Sequence, residues 1–455
     1  MPVRPAPSRP TALGLAPLVA VMFFVVSGGP FGLEGLVGSV GPGIALLLMV
    51  GTPLLYSVPE ALLVGELASM LPVEGGYYQW VKRAFGDAWG FWNGWLSWVY
   101  SLMDMAIYPV LLLQYLRWFA PGLGRWESWA LACAVIWAAT WLNLRGTRAV
   151  GAASGGLAVA VVAPFAVLSA IALVRWASSG AAIRGALGAP AAGSTLAGAL
   201  GIGLSQAIWN YSGWDNASTI SGEIDRPSST YPRALARTLP LVTAIYLLAV
   251  IPVLAVTRWE RWTDGAWPDL AASVAGRWSG AWVAAAGILS AFALFNALLL
   301  AYSRIPLVLA RDGLLPSALA VTDARGTPRN AVLVSAAAYT VFALVPFGGL
   351  LAGDVLLYTA ALALEFAALL KLRRVEPGLR GDFRVPLPTA ALAILAVLPI
   401  SMIALAVTLE IRSEDIGLPG VAAAGVLAAA GPFWYLLRRK FAAPTPPTGA
   451  SPIAP

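Results

Sequence analysis

Long apolar stretches, separated by short polar loops, run along almost the whole chain. A helix rises about 1.5 Å per residue, so about 20 apolar residues are enough to cross the hydrocarbon core of a bilayer. The pattern predicts about twelve such helices, at residues 13–38, 42–69, 88–117, 127–144, 150–175, 196–222, 238–256, 278–304, 331–345, 350–371, 387–410 and 417–437. The chain is therefore predicted to be an all-α membrane protein.

Two of these helices contain a short segment that disfavours helix. The first has Ser27–Gly32, which combines three glycines with a proline, and the sixth has Trp209–Asn216, which contains Gly213. Glycine weakens a helix, and proline removes a backbone donor. At bilayer depth the freed backbone groups must lie in protein or in a water-filled cavity. Breaks at corresponding positions of the two halves are typical of a transporter's substrate site.

The order of the two broken helices predicts an inverted repeat. The sixth helix follows the first by five places, so the two cross the membrane in opposite directions. We expect five plus five related helices and two additional ones. The boundaries are 1–12 for an N-terminal tail, 13–371 for the transport core (helices 1–5 at 13–175, helices 6–10 at 196–371), 387–437 for helices 11–12, and 438–455 for a second tail.

Basic residues fix the predicted orientation. Of the 29 Lys and Arg, only these fall in the segments predicted outside: Arg117, Arg125, Arg175, Arg184, Arg258, Arg261, Arg277 and Arg412. The others lie in the alternate loops and at the ends of the chain. Because cytoplasmic loops are enriched in Lys and Arg, both termini are predicted to be cytoplasmic, in a plasma (inner) membrane protein.

Composition narrows the chemistry. Apolar residues make up 59% of the chain and charged residues 11%, against about 25% charged in soluble domains. The chain has one cysteine, Cys133, and no histidine, so proton chemistry would fall to carboxylates or water. The net charge of +7 lies in short loops and does not indicate a nucleic-acid partner. No enzyme motif is present, and we expect no cofactor and no metal site.

Short motifs in and around the helices resemble a known family. They are Ser27–Glu34, Pro59–Leu62, Gly65–Ala68, Pro72–Tyr77, Met103-Asp104 with Tyr108–Val110, Trp209-Asn210 with Trp214–Thr219, Gly222-Glu223, Tyr231–Leu235, Leu364–Ala367 and Arg384–Pro386. With these residues the chain resembles the amino acid–polyamine–organocation (APC) superfamily and, within it, the polyamine-uptake branch. The resemblance implies the five-plus-five fold and cation-coupled uptake of amino acids or polyamines. Asn296 stands where the plant polyamine carriers are expected to have a carboxylate.

The breaks and a mid-membrane acid supply the candidate substrate-binding groups. Free backbone groups at a helix break can meet a carboxylate or an ammonium, and aromatic faces attract ammonium groups. Asp104 lies near mid-membrane with Tyr108 one turn further on the same face, and both could contact a cationic amine. The alternative is a kinked helix, packed aromatics and neutral carboxyls. The predicted substrate-binding residues are Ser27, Gly28, Gly29, Asp104, Tyr108, Trp209, Asn210, Tyr211 and Asp215.

Other polar residues are candidates for coupling or gating, namely Glu60, Glu66, Glu223, Asn296 and Glu365. Glu60 and Glu365 lie at bilayer depth, where a carboxyl either takes part in transport or is a neutral structural group. Glu66 and Glu223 lie near cytoplasmic helix ends, within reach of arginines. They would form a gate of ion pairs or simply cap helices.

Together these features predict a secondary active transporter. We expect proton-coupled uptake of a cationic or zwitterionic amine by alternating access, with the amine, a proton and the lipid bilayer as partners. An amino-acid exchanger without ion coupling is the first alternative. A nutrient sensor that binds but does not transport is the second.

Overall fold

A computed structural model describes residues 13–145, 147–179, 195–323, 326–412 and 418–441. Apart from one isolated bridge, the described residues contain no β-structure. The α-helices are α1 (Leu15–Val26), α2 (Leu33–Thr52), α3 (Val58–Met70), α4 (Gly76–Phe85), α5 (Asp87–Leu116), α6 (Arg125–Asn143), α7 (Thr147–Ser179), α8 (Leu196–Asn210), α9 (Pro227–Val256), α10 (Trp267–Ala275), α11 (Arg277–Tyr302), α12 (Arg304–Arg311), α13 (Arg329–Phe342), α14 (Phe347–Val375), α15 (Thr389–Arg412) and α16 (Leu418–Phe441). The predicted tail at 1–12 lies outside the described residues. The second predicted tail, 438–455, begins inside α16, and its part after 441 lies outside the described residues.

The predicted all-α membrane fold is confirmed. Each predicted apolar segment forms helix at the expected place, and seven helices among the described residues are long and apolar enough to span a bilayer. The turn between the first two segments is a sharp bend at Gly41, which has φ 76°, inside an otherwise continuous helical stretch from Leu33 to Met70. The domain boundaries and the number of twelve spans stay predictions.

The first break separates α1 from α2 and depends on glycine. Gly28, Gly29 and Gly32 have φ values of 61°, 115° and 86°. A side chain disfavours this left-handed region, so the chain can turn here because these positions lack a Cβ. The result is two half-helices, one ending at Val26 and the other beginning at Leu33.

Local oxygen atoms satisfy backbone donors of the first break. The amide of Gly29 donates to Ser27 Oγ at 3.1 Å, and the amide of Gly32 donates to Glu34 Oε2 at 2.9 Å. Both side chains belong to the break or to the first turn of α2. The break is therefore a defined structure and not a frayed helix end.

The second break is closed by side chains from two other helices. Helix α8 ends at Asn210, and the chain resumes as a 3₁₀-helix over Asn216–Glu223. Between them, the amide of Gly213 donates to the Tyr358 hydroxyl at 3.2 Å, and the amide of Trp214 donates to Glu60 Oε1 at 3.1 Å. The break is thus attached to α3 and α14.

Helix α5 is the most enclosed of the long helices. It packs against α4, α6, α11, α12, α13, α14 and α16. Its most apolar stretch is 83% buried, whereas the corresponding stretch of α15 is only 28% buried. Polar groups on α5 therefore face protein and not lipid, as expected for ionisable residues at bilayer depth.

Ion pairs cluster at the predicted cytoplasmic end of the bundle. They are Glu66 with Arg373, Glu223 with Arg304, Glu74 with Arg311, Asp312 with Lys82, and Glu376 with Arg83. The Glu66–Arg373 pair is almost fully enclosed, with 1% and 3% of the side chains exposed. The remaining Arg373 donors reach the carbonyls of Leu387 and Val385. This pair joins α3 to α14 and to the segment before α15.

The start of α1 is joined to the end of the second broken segment. The amide of Leu13 donates to the carbonyl of Glu223 at 2.8 Å, and the amide of Asp225 donates to the carbonyl of Leu13 at 3.0 Å. These two bonds form a short parallel bridge between Leu13 and Ile224. The two broken segments are therefore connected at this end.

We expect Arg373→Leu to destabilise the protein strongly. Removing one partner of a buried ion pair leaves the other charge unpaired, which costs about 3–5 kcal/mol. The measurement is the temperature at which the detergent-solubilised protein loses its monodisperse elution peak.

Arg83→Leu is the matched control. Arg83 hydrogen-bonds Glu376 and lowers the pKa of that carboxyl, so the pair is ionised at neutral pH. Both groups reach solvent, and such pairs contribute about 0–1 kcal/mol. Equal losses of stability in the two variants would show that the burial of Arg373 does not matter.

Candidate functional site

A small cavity lies between the two breaks. Five segments line it: the first break with the end of α1, the second break, α5, α11 and α14. The lining residues are Val25, Val26, Ser27, Phe31, Tyr100, Asp104, Tyr108, Leu111, Trp209, Asn210, Ser212, Gly213, Asn216, Leu294, Tyr302, Asp354 and Tyr358. Unwound backbone and side chains from three continuous helices therefore meet at one place.

Asp104 is the most highly coordinated acid of the cavity. Its Oδ1 accepts hydrogen bonds from the Tyr108 hydroxyl at 2.8 Å and from Trp209 Nε1 at 3.3 Å, and its Oδ2 accepts one from the Tyr302 hydroxyl at 2.8 Å. Three neutral donors converge on one carboxylate, which is 5% exposed. Such an arrangement suits an ionised carboxylate that still lacks a cationic partner.

A second acid, Asp354, lines the same cavity from α14. It is 6% exposed, and its Oδ1 has no hydrogen-bond partner among the described residues. The backbones of α14 and α5 approach closely here, because a Cβ at Gly353 would overlap the sulfur of Met103. No Lys or Arg is among the residues that line the cavity. The cavity is therefore acidic.

Aromatic rings form much of the cavity wall. Trp209 lies 6.2 Å from Tyr108 between ring centroids, and Tyr100 lies 5.8 Å from Tyr302 and 5.1 Å from Tyr358. Ring faces attract cations, and desolvated sites strengthen this attraction to about 2 kcal/mol or more. Two acids and an aromatic wall together suit an ammonium group.

Tyr358 connects the cavity with two further buried acids. Its hydroxyl oxygen lies 2.6 Å from Glu60 Oε1 and 2.8 Å from Asp215 Oδ1. Neither acid lines the cavity, although both are fully buried. Glu365 is also fully buried, and neither of its carboxyl oxygens has a hydrogen-bond partner among the described residues.

The structure brings five of the nine predicted substrate-binding residues to the cavity, namely Ser27, Asp104, Tyr108, Trp209 and Asn210. Asp215 lies behind the wall, hydrogen-bonded to Tyr358.

The other three predicted residues face neighbouring helices. Tyr211 points away and donates to the carbonyl of Met49. A Cβ at Gly28 would meet Leu294 and Ser290 of α11, and a Cβ at Gly29 would meet Val161 of α7. The two glycines thus shape the break through its packing against α11 and α7.

The predicted coupling or gating residues separate into three places. Glu60 and Glu365 are fully buried acids behind the cavity wall. Glu66 and Glu223 lie in the ion pairs of the predicted cytoplasmic end. Asn296 lies elsewhere: its Oδ1 accepts from Asn143 Nδ2 at 2.8 Å, between α6 and α11. It does not line the cavity.

Sequence reasoning missed twelve of the seventeen lining residues, although for Tyr100 and Tyr358 a spacing signal was available. Tyr100 precedes Asp104 by four residues, and Tyr358 follows Asp354 by four. Residues four apart share a helix face, so each of these tyrosines is expected to lie beside the acid four residues away. Only packing between helices could add Tyr302 of α11.

Comparison with known proteins identifies the family. The sequence profile described as amino acid permease matches residues 19–426. Polyamine transporter PUT1 of Oryza sativa subsp. japonica is 34% identical over 426 residues, which cover 93% of this chain and 78% of that protein. Polyamine transporter RMV1 of Arabidopsis thaliana is 33% identical over 395 residues, with 85% and 78% covered. A probable polyamine transporter of Arabidopsis thaliana is 35% identical over 419 residues, with 89% and 84% covered.

The matched region runs from α1 to the last helix and includes both breaks and every cavity-lining residue. The chain therefore belongs to the amino acid permease family of the APC superfamily and is a multi-pass membrane transporter.

Proposed function

We propose that this protein imports a polyamine, or a similar amine with two positive charges, across the plasma membrane. Uptake is driven by protons and proceeds by alternating access of the cavity between the breaks. Both termini lie in the cytoplasm, so the cluster of ion pairs closes the cytoplasmic side.

The observation that carries the proposal is the acidity of the cavity. Asp104 and Asp354 line it from facing helices, and no basic side chain among the described residues lines it. Burying an ionised carboxylate without a cation is costly, and a bound ammonium offsets part of that cost. A zwitterionic amino acid would bring its own carboxylate into this acidic space. The cavity therefore favours a substrate with more than one positive charge.

Two further points support this substrate class. Relatives that align with most of this chain are named polyamine transporters. Asn296 stands where the plant polyamine carriers are expected to have a carboxylate, but it bonds to Asn143 outside the cavity. Its lack of charge therefore does not weaken amine binding in the cavity.

An amino-acid exchanger without ion coupling remains the second candidate function. The observation that favours it is that unwound chain at Ser27 and at Ser212-Gly213 lines the cavity, because main-chain groups at a helix break can bind an amino and a carboxylate group. The two functions differ in charge preference and in their response to a proton gradient.

We expect Asp104→Asn to weaken diamine binding far more than binding of a neutral amino acid. Deleting one side of a partly desolvated charge pair costs on the order of 2–4 kcal/mol, or about 30- to 1000-fold in affinity. The measurement is competition binding of putrescine, arginine and leucine to purified protein. Asp264→Asn is the control, because the exposed Asp264 lies outside the cavity. Equal weakening of all three ligands would refute a charge role for Asp104.

Asp354→Asn should remove the preference for a second positive charge. If each acid meets one ammonium, putrescine loses about tenfold or more in affinity, whereas butylamine, which has one ammonium, is unchanged. Comparing the two ligands in one variant cancels general effects on folding. A parallel loss for both ligands would mean that Asp354 shapes the cavity without selecting charge.

Uptake should depend on an inward proton gradient and not on sodium. Buried carboxyls are the available proton carriers in a chain without histidine. The test is labelled putrescine uptake into proteoliposomes with proton and sodium gradients imposed separately. Uptake that follows sodium at clamped pH, or that needs only an internal amine, would contradict proton coupling.

A further inference from the structure

The Tyr358 hydroxyl is shared between two carboxyl groups. Glu60 Oε1 and Asp215 Oδ1 both lie within hydrogen-bond distance of the same oxygen, at 2.6 and 2.8 Å. That oxygen also accepts a hydrogen bond from the amide of Gly213 at 3.2 Å. Glu60, Asp215 and Tyr358, here called the carboxyl triad, thus join α3, the second break and α14.

The number of available protons determines the protonation state of the carboxyl triad. A tyrosine hydroxyl has one proton, so it can donate to only one of the two carboxyl oxygens. The second short contact is a hydrogen bond only if that carboxyl holds a proton and donates it to the tyrosine oxygen. Asp104 differs, because its three neighbours supply one proton each and none is needed on the acid.

No basic side chain is among the main influences on the triad in the part of the chain that the structure describes. Several titratable side chains interact electrostatically with Glu60 and Asp215. They include Tyr56 beside α3, Tyr231 of α9 and Glu365 of α14. Tyr77 of α4 and Tyr100 of α5 also face Asp215. None of these groups is basic. Glu60 Oε2 and Asp215 Oδ2 have no hydrogen-bond partner among the described residues.

From this geometry we infer that the carboxyl triad is the site of the transported proton, which is held between Glu60 and Asp215 beside the Tyr358 hydroxyl. The inference rests on the proposed proton-driven import and assigns its coupling ion to specific atoms. A metal ion fits less well, because the described residues contain no group of three acids, Cys or His close enough to hold one.

The triad also connects the proton to the substrate cavity. Tyr358 and Gly213 line that cavity, and Glu60 accepts the amide of Trp214 in the second break. With the proton present, hydrogen bonds attach the break to α3 and α14. Loss of the proton leaves two like charges around one hydroxyl, and their repulsion releases the break. Proton release and movement of a cavity wall are therefore the same event.

The test compares gradient-driven accumulation with counterflow in proteoliposomes at clamped membrane potential. One pH unit corresponds to about tenfold in concentration, so the wild type should accumulate putrescine up to about tenfold for one proton per substrate. Glu60→Gln, which imitates the protonated acid, should reach a ratio of about one while exchanging labelled for unlabelled putrescine at a normal rate. Asp215→Asn should behave in the same way, because Asp215, like Glu60, does not line the cavity.

Two matched variants are controls. Tyr77→Phe removes a buried hydroxyl that has no hydrogen-bond partner among the described residues, and Asp264→Asn removes an exposed carboxyl. Both should accumulate putrescine as the wild type does. Wild-type accumulation in Glu60→Gln or Asp215→Asn would overturn the assignment. So would loss of counterflow in both Glu60→Gln and Asp215→Asn, because the two acids would then serve the transport cycle as a whole.

Infrared difference spectroscopy separates this inference from the proposed function. The protonated-carboxyl band of the wild type should lose intensity in Glu60→Gln and Asp215→Asn, and should shift in Tyr358→Phe. If the band behaves so but the wild type shows no proton-driven uptake, the proton is structural and both proposals fail. If uptake is proton-driven but the band is unaffected by these variants, only the triad assignment fails.

Discussion

Backbone N–H and C=O groups cannot be left unpaired at the depth of a bilayer, and this requirement shapes the centre of the molecule. The first break bonds to its own side chains, and the carbonyl of Pro30 accepts a hydrogen bond from Trp267 of α10. The second break depends on distant residues, since Tyr358 and Glu60 accept its amide protons. Each break therefore fixes the position of the helices around it, and the cavity is the space that remains between them.

The polar residues at this depth divide into two sets with different proton requirements. Around Asp104, neutral side chains supply enough protons to hydrogen-bond the carboxylate, and a bound substrate cation would balance its charge. Around Tyr358, one hydroxyl proton cannot bond both carboxyl groups, and an additional proton on one acid would supply the second hydrogen bond. Because Tyr358 lines the cavity, one helix, α14, contributes to both sets through Asp354 and Tyr358. A substrate cation and a proton would then act on neighbouring residues of the same helix face.

The sequence was sufficient to predict the helices and both breaks, because apolar length, glycine and proline are local signals. Asp104 was also predictable, since an acid in a long apolar helix is rarely exposed to lipid. Three facts required the packed structure: that Asn296 turns toward α6, that Arg373 is the partner of Glu66, and that Glu60 reaches the second break. Each depends on how a helix is rotated about its axis, and a single apolar sequence encodes that rotation only weakly.

The bridge between Leu13 and Ile224 makes the first described residues part of the machinery and not a passive leader. Any rearrangement that separates α1 from the second broken segment must break two main-chain hydrogen bonds, and only proline at Leu13 or Asp225 would remove a donor from them. A purification tag or fluorescent protein fused close to Leu13 would exert force on the bridge between Leu13 and Ile224. Expression vectors for this transporter are better designed with the fusion at the other end of the chain, beyond α16.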